Sequence, residues 1–229
     1  MTSTAPLSPT PRSTVRRGAK RAVTDRAALL DVLATAPLCH LGVLLDGVPL
    51  VLPTVFAVDP DGPDEGGTLY VHGSVAARSL RAAPEQEVSV TVTVLDGLVL
   101  ARSGFHHSMN YRSAVVIGRP RQVVDEPERS HALDLVVDHV VPRRSATLRA
   151  SSRKELAATT VLALPLHEAS VKVRTGDPVD EDEDVAAGVW AGVLPVRLVA
   201  GDVLTAQDAD GVDVPPDVRS LAAAWQAAP

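Results

Sequence analysis

Residues 71–81 read VHGSVAARSLR. A histidine, a glycine, a serine and two arginines crowd together where the strand-forming pair Tyr70 and Val71 gives way to a stretch that suits a helix. These residue types fit anion recognition. Gly73 lets the backbone approach a ligand, Ser74 can cap the following helix, and a helix N-terminus offers free N–H groups with partial positive charge. Arg78 and Arg81, one and two turns along, carry guanidinium forks that match an oxyanion. The pattern predicts a turn at 72–74 that, with Arg78 and Arg81, has the ingredients of a phosphate site. Without a ligand, the same residues read as a capped helix with solvated arginines.

A second polar cluster, SGFHHSMNYRS at 103–113, stands just before an otherwise apolar strand. Polar side chains at the mouth of a strand need partners, and a polar ligand would supply them. A metal is not expected there, because neighbours along a strand point to opposite faces and no carboxylate flanks His106 and His107. His131, Asp134 and Asp138 share one helical face, as solvated surface residues do. The motifs for dinucleotide-binding and phosphate-loop folds are both missing.

Several elements must position these residues. TDRAALLDVLATA predicts a first helix capped by Thr24 and ended by Pro37. Two β-rich runs joined by Asp46-Gly47 predict a hairpin. Strict alternation from Glu87 to Val94 predicts a half-buried strand, which LVLAR extends, and YRSAVVIGRPRQVV predicts another. Pro127 opens a long helix, and residues 142–160 read as broken helix leading into the strand VLALPL. ASVKVRT and VWAGVLPVRLVAGDVL add strands, GDPVDEDED reads as a solvated loop, and an Ala-rich helix follows Pro216. The expected fold is mainly β: an antiparallel barrel or sandwich with helices outside it.

Composition narrows the function classes. The 229 residues are 45% hydrophobic, enough for a packed core. Five of the 22 basic residues lie before residue 23, whereas all 28 acidic residues follow it. The acidic body argues against nucleic acid as a partner, and residues 1–21 read as a disordered basic tail. No apolar run is long enough to span a membrane. A single cysteine, Cys39, excludes an intramolecular disulfide framework, and a cytoplasmic setting is expected.

In their order and spacing, LPTVFAVD, LYVHGSVAARSLR, SMNYRSAVVIGRP, ASVKVRTGDP and VWAGVLPV resemble the flavin-nucleotide-binding branch of the pyridoxamine 5′-phosphate oxidase-like proteins, which includes the nitroimidazole-resistance reductases. The resemblance covers residues 22–205 and leaves 206–229 as an extension with a short helix. It implies an FMN-binding split β-barrel that works as a homodimer with the flavin at the subunit interface. Pro53, Thr54, Val55 and Phe56 would lie along the isoalloxazine ring, largely through backbone groups. His72, Gly73, Ser74 and Arg78 would hold the phosphate end, with Tyr111, Arg112 and Ser113 adding contacts and Trp190 closing the site from the partner chain. His72 matches the histidine linked to chemistry in the reductases. Ala76 and Ala77 stand where the oxidase has an Arg-Lys pair, and the oxidase's Arg-x-His signature is missing after Trp190, so pyridoxamine phosphate oxidation is not expected. The function implied is an FMN-dependent oxidoreductase that takes electrons from a nicotinamide donor to a small-molecule substrate. The alternative is a non-enzymatic flavin or haem binder, with a deazaflavin as another cofactor choice.

Overall fold

The computed structural model describes residues 6–7 and 10–227. Its strands and helices run β1 (Ala22–Val23), α1 (Arg26–Thr35), β2 (Cys39–Leu45), β3 (Val48–Thr54), β4 (Phe56–Asp59), β5 (Thr68–Ser74), α2 (Arg78–Ala82), β6 (Val88–Leu100), β7 (Ser108–Gly118), β8 (Arg121–Gln122), α3 (Glu126–Val140), α4 (Arg153–Ala158), β9 (Thr159–Pro165), β10 (Ala169–Arg174), α5 (Asp182–Ala186), β11 (Gly192–Pro195) and α6 (Pro216–Ala227). A seven-stranded sheet has the order β1-β10-β7-β6-β2-β3, with β11 also on β6, and a four-stranded sheet has the order β4-β5-β9-β8. Every pairing is antiparallel. The alternation on β6 turns Val88, Val90 and Val92 inward onto Leu29, Val32 and Leu33 of α1 and onto Leu69 and Val71 of β5. The fold is the mainly β arrangement that the sequence predicts.

Asp46 and Gly47 take φ of 53° and 78°, the left-handed pair of a type I′ turn between β2 and β3. α1 is capped by Asp25, which accepts from the Ala27 N–H at 2.9 Å, and not by Thr24. Cys39 is fully buried, and burial pushes its thiol up to about 12, so it stays a protonated core residue.

β3 is an edge strand that carries two prolines. Leu44, opposite Pro49, turns its N–H and C=O away from β3, onto the Gln86 side chain at 2.8 and 2.9 Å. Pro49 therefore needs no N–H toward β2, and Pro53, four residues on, has the same orientation. Pro49, Val51 and Pro53 each present a carbonyl outward, but only Val51 presents an N–H.

The loop at 60–67 is organised by one arginine. Arg121 on β8 donates to both carboxylate oxygens of Asp64, at 2.9 and 2.8 Å, and to both of Glu128 on α3, at 3.0 and 2.5 Å. Thr68 also donates to Asp64, and the Tyr70 hydroxyl donates to Glu128 at 3.0 Å.

The segment at 10–21 differs from the disordered tail expected of it, while residues 1–5, 8 and 9 lie outside the described residues. Arg12 bonds Glu168 through Nε at 2.7 Å and Nη2 at 2.5 Å, and reaches Glu87 at 2.8 Å. Thr10 also donates to Glu168. Leu7 is only 3% exposed and joins the main core. The basic composition thus meets acids of the body, a complement that lies 75 to 156 residues away in sequence. Leu7→Ala should cost about 2 kcal/mol and lower the melting temperature by about 4–8 °C, as read by circular dichroism. An unchanged melting curve would mean that the segment is a free tail.

Candidate functional site

β3 ends at Thr54 and β4 begins at Phe56, so the chain passes from one sheet to the other at Val55. Both strands are edges, and one flank of this segment therefore carries backbone groups that no strand pairs. Phe56 points into the core. Its ring lies 4.5 Å from that of His139, whose Nε2–H donates to the Ala36 carbonyl at 2.8 Å. Burial lowers the pKa of His139 and outweighs that hydrogen bond, so the ring is neutral at pH 7.

Residues 72–74 form no turn. They are the last three residues of β5, paired with Val161, Thr160 and Thr159. The β-branched run at 159–161, far away in sequence, supplies a partner strand and carries the extended backbone three residues further than the local pattern suggests. Gly73 lies under Leu80, whose Cδ1 would be 2.7 Å from a Cβ there, so a larger residue would displace the Leu80 side chain. Ser74 Oγ accepts from the Ala76 N–H at 3.2 Å, while α2 begins after Ala77 with no side-chain cap. The capped helix terminus expected from Ser74 is not formed. Arg78 reaches Asp46 in the β2–β3 turn at 2.6 Å, an exposed pair worth at most about 1 kcal/mol.

His72 lies opposite Val161, on the same face of β5 as Tyr70, and α3 packs over that face. The ring is half-buried, and its Nδ1 is buried without a hydrogen-bond partner in the structure. Burial lowers its pKa, so the imidazole is neutral at pH 7 and keeps a nitrogen lone pair.

Tyr111, Arg112 and Ser113 lie on β7, opposite Leu95, Val94 and Thr93 of β6. The strand ladder puts Asp46, which holds Arg78, about eight residues along β6 from Arg112, or on the order of 25 Å. One chain does not bring Arg78 and Arg112 to the same phosphate. Trp190 is 69% exposed and lies beside Gly192, toward the far end of β6. The expected site residues thus fall in separate places: residues 53–56 and 72–74 on adjoining strands, Arg78 at the hairpin tip, residues 111–113 on β7, and Trp190 before β11.

The cluster at 103–113 finds its partners within the chain. His107 Nδ1 donates to the Ser103 carbonyl at 2.8 Å, Asn110 donates to the Gly176 carbonyl at 3.1 Å, and His106 Nε2 lies 3.7 Å from Glu181. Asp180, inside the loop expected to be solvated, buries its side chain and accepts from Arg102 at 2.9 and 3.0 Å. Asp138 is occupied by the N–H and hydroxyl of Ser145, and His131 by Asp59. Among the described residues no three His, Cys, Asp or Glu side chains gather as a metal site, and no helix is long and apolar enough to cross a membrane.

The sequence pattern gives no hint of a cavity of about 910 Å³, lined by residues 35–37, 93–96, Arg112, 195–198 and Trp225. A bulge shapes its floor. The β6–β7 register shifts between Leu95 and Gly97, which leaves Asp96 unpaired and aims its carboxylate at Arg112 Nε and Nη2, at 3.2 and 3.1 Å. Arg112 also reaches Asp31 at 3.1 Å. Residues 196–204, expected to be strand, are irregular, and Val196, Arg197 and Leu198 form one wall. No local signal marks this cavity, because its walls come from five separate stretches of the sequence.

A family model described as pyridoxamine 5′-phosphate oxidase matches residues 25–173. No curated protein matches the chain. Among solved structures, the flavocytochrome Anf3 from Azotobacter vinelandii is 37% identical, with a TM-score of 0.84 over 94% of this chain and 98% of that one. The FAD and haem binding protein from Mycobacterium smegmatis is 43% identical, with a TM-score of 0.80 over 87% of this chain and 96% of that one. A protein from Bacteroides thetaiotaomicron, described as a 5-nitroimidazole antibiotic resistance protein, is similar in fold, at 23% identity and a TM-score of 0.54 over 66% of this chain and 86% of that one.

Proposed function

The chain belongs to the pyridoxamine 5′-phosphate oxidase family, and from that premise we propose that it is a redox protein that binds both a flavin dinucleotide and a haem. The observation that carries this reading is the 43% identity, over 87% of the chain, to a protein that binds FAD and haem. It favours the flavin- and haem-binding alternative over an FMN-dependent reductase of small molecules, and FAD over FMN.

The residues present fit both groups. The free flank at 53–56 offers backbone partners to the edge of a flat ring. His72 offers a neutral imidazole, the form in which histidine ligates a metal, on a rigid strand and with a buried nitrogen in need of a partner. When bound, a flavin accepts electron pairs and releases single electrons, and a haem takes up single electrons. The protein's part is to hold the two rings within reach of each other, with a nicotinamide donor as the electron source. Two copies would pair over the exposed apolar flank of β3, where Val48 and Val51 are 64% and 62% exposed.

The purified protein should show a sharp Soret band together with the two broad flavin bands. Mass spectrometry of the denatured protein should release FAD and haem in comparable amounts. Flavin bands with no Soret band, or FMN as the released flavin, would overturn the reading.

A further inference from the structure

We infer that the cavity between the end of α1, the β6 bulge and α6 is the site of the adenosine half of the flavin dinucleotide, with Trp225 as the platform for the adenine ring. This rests on the flavin reading above and extends it, Arg112 aside, to residues outside the expected contacts. The cavity is the right size for a nucleoside, at about 910 Å³, and its walls are largely apolar, with Val94, Leu198 and the half-buried indole of Trp225 among them.

Its polar groups suit a ribose and a base. Arg112 is paired with Asp96 and Asp31, and Arg197 also lines the cavity, so the charged groups around it balance. Each Asp96 oxygen takes one bond from Arg112 and keeps a second lone pair, which suits a ribose hydroxyl or the exocyclic amine of adenine.

The cavity also lies within reach of the flavin segment. Its rim at Pro37 is two residues from Cys39, which pairs with Thr54 across the β2–β3 ladder, so the two lie within about 12 Å of each other. A ring at 53–56 thus lies within the span of a dinucleotide from the cavity.

Titration of cofactor-free protein with FAD and with FMN, followed by flavin fluorescence, tests the assignment. FAD should bind at least about tenfold more tightly than FMN, within the range that base–aromatic stacking provides. Trp225→Ala should remove most of that preference while leaving FMN affinity within about twofold, and Trp225→Phe, which keeps a ring, should retain it. Equal wild-type affinities for FAD and FMN, or equal losses for both in Trp225→Ala, would overturn the cavity assignment while flavin binding stands. Binding of neither flavin would remove the flavin reading itself, and the cavity assignment with it.

Discussion

Replacing His72 by alanine should strip the protein of haem while leaving its flavin in place. The imidazole offers the iron a buried ring nitrogen that has no hydrogen-bond partner in the structure. Its loss should lower the haem content per chain by at least about tenfold, as a single metal–ligand bond outweighs the apolar contacts that remain. The Soret absorbance read against the flavin bands measures this without an activity assay. Imidazole added to the variant should restore part of the Soret band, because the space of the missing ring accepts it. Loss of flavin with haem retained would instead give His72 the role implied by the reductase resemblance, beside the flavin ring. Retention of both would place the iron on another residue.

Arg121→Ala should be the most damaging substitution away from the cofactors. It removes the cation between Asp64 and Glu128, whose side chains are only 13% and 18% exposed, and leaves two carboxylates facing each other under α3. Breaking a fully buried pair costs about 3–5 kcal/mol, and with Arg121 itself 39% exposed the lower end, about 3 kcal/mol, is expected. The melting temperature should fall by about 6–12 °C. The deficit should depend on pH. Burial alone would push the Asp64 carboxyl up, but the hydrogen bonds from Arg121 and Thr68 hold it below its ordinary value. A depressed folded pKa contributes stability that is present above the unfolded value near 3.9 and is lost as pH falls through the folded one. Wild type and variant should therefore differ most at neutral pH and converge below about pH 4. A constant difference across that range would mean that Arg121 acts by packing alone.

Elements set by local patterns are legible in the amino-acid sequence. Alternation at 88–94 places the central strand, Asp46-Gly47 places the hairpin, and Pro127 places the start of α3. Misreadings arise where a distant segment decides the local state. Residues 72–74 read as a turn because Gly and Ser are turn formers, but strand pairing with 159–161 keeps them extended. Asp180 sits in a run of acids that looks solvated, and only the arrival of Arg102 explains its burial. Of the site residues expected from the resemblance, those on β3, β4 and β5 fall on adjoining strands, because Phe56 pairs with Val71. The cavity cannot be read from the sequence, since Trp225 and Asp96 are brought together by a bulge and a terminal helix that carry no motif of their own.

The two prolines on β3 limit how the molecule can associate with its own kind. An open, apolar edge strand normally invites another strand to dock and then another, the route to fibres and swapped polymers. Pro49 and Pro53 leave Val51 as the single outward donor among residues 49, 51 and 53, so most carbonyls of an incoming strand would find no N–H to meet. Side chains are left to make the contact, and an isologous contact of that kind closes after two copies. The backbone edge can thus stay open without becoming a seed for polymer growth.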